Sequence, residues 1–300
     1  MPAKELLMVR PTVFGFNPET ASSNAFQSQP LHASVVQAAA VQEFERVVQL
    51  LQQVGIRIHV FEQTAETISP DAVFPNNWFA HFPNQSLTVF PMQSGKRRTE
   101  KRWDIIEYLK RELQPKVFQD MSDWEVDGFF LEGTGSMVVD HPNKIIYAAS
   151  SIRTHTRALQ DFAELQGYRA IWFPTKSSSG MPVYHTNVMM AIGSRLAIIC
   201  KDVFAEEFDW YGVQQLLIQT GHEILVIDEW QMQQFCGNIL EISLPDGQLA
   251  WIMSETARNA FTPVQMALLS THHLILSAAI PTIETVGGGG IRCMLAEIYS

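Results

Sequence analysis

Cys293 follows a run of four glycines, residues 287–290, with only Ile291 and Arg292 between. A backbone passing through four glycines takes conformations closed to other residues and brings the next side chain close to a ligand. A thiol in that place is a candidate nucleophile. The other two cysteines differ. Cys200 lies in an apolar run and reads as core, and Cys236 sits near a polar turn with no such glycine run after it. Glycine runs also build phosphate loops, but no Lys-Ser/Thr follows this one and no helix is expected to open there. Asp and His residues show no metal-ligand spacing.

Polar turns recur at the spacing of this cysteine. From Asn77 to Glu132, His185, Asn238 and Cys293 the gaps are 55, 53, 53 and 55 residues. A fixed period of this size means repeated supersecondary units. Between the turns, apolar runs at 6–10, 57–61, 87–92, 144–149, 170–173, 196–200, 223–227, 249–253 and 273–277 read as strands. Helix-period stretches alternate with them, and three of these end at Gly55, Gly167 and Gly221 and run straight into a strand. Thr262-Pro263-Val264-Gln265 carries a helix cap, a proline at the first helical position and a capping-box Gln.

Each unit therefore reads polar turn, strand, strand, helix, strand. Four units fit between residues 71 and 280. The fifth is split, with its first strand at 293–299 and its remaining strand, helix and strand at 6–10, 36–54 and 57–61. Joining the two ends closes a ring and leaves no open sheet edge. The five turns then converge at one end of the axis, where Cys293, His185, Glu132, Asn77 and Asn187 meet. The polar stretch at 11–34 reads as a lid loop over that end.

The composition narrows the class. The 300 residues are 46% hydrophobic, enough for a sizeable core, and are read as one α/β catalytic domain over 1–300. A net charge of −10 argues against nucleic acid or an anionic membrane as the main partner. Three cysteines without a CxxC pair, and no apolar leader, fit a cytoplasmic protein with neither disulfide scaffold nor structural zinc.

The motifs, taken in order, resemble the guanidine-modifying superfamily with the five-bladed, pseudo-symmetric α/β propeller (pentein) fold. They are MVRP at 8–11, FPNNWFAHF at 74–82, FLEGTGSMVVD at 130–140, SSIRT at 150–154, YHTNVMM at 184–190 and ETVGGGGIRCMLAEIY at 284–299. The nearest branch is the citrulline-utilisation hydrolases. The resemblance implies Cys293 as nucleophile, His185 as acid and base, and Glu132 as the residue that orients His185. Asn77 and Asn187 fall where many members carry two Asp residues that grip a guanidinium. Arg153, Arg97 or Arg98 are implied as clamps for a substrate carboxylate, with Arg10 a weaker candidate. Asn24, Phe26 and Gln27 of the lid are expected at the substrate's α-amino end.

A thiol attacks a trigonal carbon as thiolate, so His185, with help from Arg292, is expected to favour that form. A guanidinium offers only donors, whereas a ureido group adds a carbonyl acceptor, which suits amide side chains. The expected activity is thus hydrolysis of the ureido group of citrulline to ornithine, carbon dioxide and ammonia, through an S-carbamoyl enzyme and without a cofactor. The alternatives are a hydrolase or amidinotransferase acting on a guanidino substrate such as arginine, and a non-catalytic binding module on the same fold. Partners are confined to a small amino-acid substrate and a possible second copy of the chain.

Overall fold

The computed structural model of the chain describes residues 2–21, 23–30, 33–64 and 69–299, with only the backbone of 33 and 34. Among these, fifteen strands form five three-stranded sheets. β1 (Glu5–Arg10) pairs in parallel with β2 (Arg57–Glu62). The next blades are β3 (Phe79–His81), β4 (Ser86–Val89) and β5 (Val117–Asp120), then β6 (Val138–Asp140), β7 (Ile145–Ala149) and β8 (Arg169–Phe173). They are followed by β9 (Met190–Ile192), β10 (Leu196–Cys200) and β11 (Glu223–Ile227), then β12 (Leu240–Ser243), β13 (Leu249–Ser254) and β14 (His273–Ala278). Last comes β15 (Ala296–Ile298), antiparallel to β1 with Glu5 opposite Ile298, which completes the split blade.

Every blade repeats one pattern: inner strand antiparallel to the middle one, middle strand parallel to the outer one. Parallel pairing requires a long crossover. Helices Ala33–Gln53, Trp103–Leu113, Thr156–Gln166, Glu207–Gln219 and Pro263–Ser270 supply it. The middle strands are covered on both faces, so they read as near-continuous apolar runs such as IIYAA in β7 and LAIIC in β10. The outer strands face solvent on one side, and β11 shows it with Leu225 and Ile227 buried but Val226 exposed. Gly55, Gly167 and Gly221 take left-handed φ of 82°, 72° and 83° at the helix ends. The Thr262–Gln265 capping box is formed.

The inner strands surround the axis, with β15 against β3, β6 against β9 and β9 against β12. Most are only three residues long, too short for an alternation to be read, which is why β3, β6 and β9 were not located individually from the sequence. The expected first strand of the split blade, 293–299, is corrected here. Ile291–Met294 forms one helical turn and the strand starts at Ala296. A helix thus does open after the glycines, though of a single turn. Similar turns precede other inner strands, at Pro75–Asn77, Gly133–Ser136 and Thr186–Met189. No helix among the described residues is long and apolar enough to cross a membrane.

Candidate active site

The five turns bring Asn77, Glu132, His185, Asn187, Asn238 and Cys293 to one end of the axis, each at most 4% exposed. Gly135 makes the approach possible. A Cβ there would lie 2.3 Å from Asn77 Nδ2 and 2.8 Å from His185 Nδ1, so only glycine fits. Gly288 does the same for the glycine run: it has φ +68°, and Asn24 and Gln27 pack against its Cα.

Cys293, His185 and Asn77 line one cavity together with Arg97, Arg153, Asp71 and Tyr184. His185 Nε2 lies 2.8 Å from Glu132 Oε2, which leaves Nδ1 for proton exchange. Glu132 Oε1 accepts a hydrogen bond from Gln93 N at 3.0 Å. Burial alone pushes the Glu132 carboxyl up, but Arg153, His185 and Arg97 outweigh it and hold its pKa at about 2. Burial lowers His185 to about 4 against the pull of Glu132. At neutral pH the pair is therefore a carboxylate and a neutral imidazole.

The sulfur differs from expectation. Its polar neighbours are Asn238 Nδ2 at 3.2 Å and Asn187 Nδ2 at 3.7 Å. Burial raises the Cys293 pKa, and the Asn238 hydrogen bond and the Arg292 charge only partly offset this. Arg292 is committed to Leu295 O and Glu297. The free protein thus holds a thiol in the same cavity as a neutral imidazole rather than a preformed thiolate. Iodoacetamide labelling of Cys293, followed by peptide mass mapping against pH, should titrate above the ordinary thiol pKa of about 8.5. A labelling pKa below that value would contradict this picture.

Both central arginines are buried. Arg97 Nη1 donates to Asn77 Oδ1 at 2.9 Å, while Nε and Nη2 engage Glu100 and Nε lies 3.8 Å from Asp71. Arg153 Nη2 donates to Thr20 O at 3.1 Å and Ser23 Oγ at 2.7 Å, with its guanidinium over the Tyr184 ring. Three expected residues lie elsewhere. Arg98 points away, donating to Met92 O and Gln93 O and pairing with Glu125, because its neighbour Arg97 takes the inward face of that helical turn. Arg10 pairs with Glu45 and Glu62. Phe26 turns from the catalytic cavity to pack on Phe235 and Tyr184.

The segment expected as a lid lies across the axis; residues 22, 31 and 32 of it fall outside the described residues, and a helix begins at Ala33. Gln27 Nε2 and Asn24 Nδ2 donate to the carbonyls of Gly287 and Gly288 at 3.0 and 3.2 Å. Beneath it the cavity lined by Cys293 and His185 measures only about 10 Å³, the space of a single water. Asp71 and Asn238 were missed from the sequence. Asn238 was visible as the fourth repeat turn, without a role. Asp71 falls in no repeat position and is held by Asn17 Nδ2 at 2.7 Å, a contact that no spacing announces.

The sequence matches, over residues 10–300, the family described as N,N dimethylarginine dimethylhydrolase, eukaryotic. The chain belongs to this family. Its fold is the pentein fold, as solved structures also show. The N-terminal domain of ArgZ bound to substrate, an arginine dihydrolase from the ornithine-ammonia cycle in cyanobacteria, superposes with a TM-score of 0.73 at 13% identity, covering 98% of this chain and 97% of that one. The dimethylarginine hydrolase of Pseudomonas aeruginosa, solved as a cysteine-to-serine mutant complexed with citrulline, gives 0.67 at 15% identity over 99% and 100%. Against full-length ArgZ this member of the family covers only 40% of the longer chain. No curated protein matches it by sequence.

Proposed function

We propose that this chain is a cysteine hydrolase that cleaves a terminal C–N bond of an arginine-derived amino acid. The observation that carries the reading is the convergence of Cys293 and His185, from two different blades, in one cavity with two buried arginines, with Glu132 from a third blade hydrogen-bonded to His185 behind it. The neutral imidazole of His185 takes the proton of Cys293 as sulfur bonds to the substrate carbon, and Glu132 stabilises the imidazolium that forms. The proton passes to the leaving nitrogen as the C–N bond breaks. Water then attacks the covalent adduct, giving a proton to His185, and the C–S bond breaks with the thiol restored. Arg153 and Arg97 are the cations placed to take a substrate carboxylate. Because the cavity holds no more than a water, substrate binding requires the segment carrying Asn24 and Gln27 to move.

The family match and the arginine dihydrolase neighbour support a guanidino substrate. Asp71, a carboxylate lining the cavity, is the group that would meet its charge. A ureido substrate is favoured by a different observation. Arg97 has only donors, so it fixes the oxygen of Asn77 toward itself and turns Asn77 Nδ2 away, where that buried amide nitrogen has no partner. A guanidinium has no acceptor to offer it, whereas the carbonyl of citrulline does. In the ureido case sulfur carries a carbamoyl group, ornithine leaves, and the released carbamate decays to carbon dioxide and ammonia.

A panel of arginine, methylated arginine, agmatine and citrulline, with the adduct trapped and weighed, decides between them. If the ureido reading holds, Asn77→Asp lowers kcat/KM for citrulline by about 100-fold, since the new carboxylate repels the carbonyl and repairs nothing. A higher kcat/KM for arginine than for citrulline in the unaltered protein leaves the guanidino reading standing alone. No turnover and no adduct with any of the four overturns the proposal.

A further inference from the structure

A second cavity, of about 680 Å³, lies on the other side of the Tyr184 ring. Met181, Met232, Phe235 and Phe26 give it apolar walls, and its charged side chains are Glu229 and Glu284, with no lysine, arginine or histidine among those lining it. Glu229 is half-buried and accepts hydrogen bonds from the backbone and hydroxyl of Ser178. Glu284 is only 3% exposed. Its Oε2 accepts from Thr256 Oγ1 at 2.6 Å, and its Oε1 has no hydrogen-bond partner. Burial raises its pKa, the neighbouring hydroxyls of Ser254 and Thr256 only partly offset this, and the nearby Glu43 carboxylate adds to the rise. A buried carboxylate oxygen without a donor is unfavourable, and a ligand that brings a donor removes the penalty.

We propose that this cavity binds a small organic cation: an amine or guanidine on an apolar stem, lacking a carboxylate. The cationic head donates to Glu284 Oε1, and the stem lies against Met232 and Phe235. An α-carboxylate would find no cation here, so amino acids are turned away. The catalytic cavity, with Arg97 and Arg153, offers a carboxylate the cations that this one lacks. The two spaces share a wall. Tyr184 lines both, and its hydroxyl donates to Gly288 O at 2.7 Å. Phe26 of the overlying segment packs on Tyr184 and Phe235, and Gly288 N bonds back to Glu284 O. An occupant therefore bears on the segment that covers the catalytic cavity and on the glycine run. This second site stands whether or not the chain hydrolyses anything.

Titration calorimetry with phenethylamine tests it, with phenylalanine and 3-phenylpropionate as controls. The full chain should bind one phenethylamine per copy and neither control, and binding should survive alkylation of Cys293. Glu284→Gln, checked for folding by circular dichroism, should weaken binding at least tenfold. Met181→Trp, which fills the cavity from its exposed rim and leaves Glu284 intact, should do the same. Unchanged affinity in both variants, loss of binding on Cys293 alkylation alone, or no saturable binding to the unaltered chain would each overturn the assignment.

Discussion

Cys293→Ala should reduce turnover by roughly 10⁴-fold or more, the scale on which loss of a covalent nucleophile is felt. Cys293 is 4% exposed and the neighbours of its sulfur are amides, so no other side chain at the site takes its place. The fold should be little affected, because the change removes a single sulfur atom and leaves the flanking amides of Asn187 and Asn238 in place. Substrate binding should persist, since the arginines and Asn77 are untouched. His185→Ala should fall by a comparable factor and should not add to the first, because the two act on one proton. Steady-state kinetics on the two single variants and the double variant measure this. A His185→Ala protein that keeps more than a tenth of normal kcat would remove the imidazole from the mechanism.

Glu132→Gln should damage both chemistry and stability. The carboxylate is fully buried and compensates three groups: the imidazole at 2.8 Å, Arg153 at 3.7 Å and Arg97 at 3.8 Å. Breaking a buried charge network by removing one partner costs about 3–5 kcal/mol. Turnover should drop by roughly 10³–10⁴-fold, because an amide nitrogen facing His185 Nε2 imposes the wrong tautomer. Urea unfolding and kcat should therefore both report the change. The same network sets an acid limit. Glu132 is held at about 2 against an ordinary 4.5, so its contribution is complete above about 4.5 and is lost as pH falls through about 2. His185 is held at about 4 against 6.5, so its contribution is complete above 6.5 and is lost as pH falls through about 4. Tm should thus decline from pH 6.5 downward. A flat Tm between pH 6.5 and 4 would contradict the buried neutral imidazole.

The repeat was legible because each blade needs the same three things: a polar turn, a buried middle strand and a crossover helix. Those leave periodic marks, and 196–200 and 223–227 were located to the residue. The grouping of Cys293, His185, Glu132, Asn77 and Asn187 followed from equal spacing alone. What spacing does not encode is the direction of a side chain within a turn. Arg97 and Arg98 are neighbours of one type, and only the helical turn Gly95–Arg98 decides that the first faces the cavity and the second faces Glu125. Protonation was hidden for a related reason. The thiol's pKa depends on how much water reaches it, and three-dimensional burial overrides the favourable residue types around it. Asp71 was invisible because its role rests on a segment that interrupts the repeat.

The pairing of β15 with β1 joins Glu5 to Ile298, almost the whole chain apart. Contacts of such separation form late, since the loop they close is the longest available. Vectorial synthesis sharpens the point. The residues of the other four blades leave the ribosome before Ala296–Ile298, so β1 must wait for its inner partner. A polypeptide that stops short of Cys293 would then carry the imidazole and the arginines without the sulfur they are placed around.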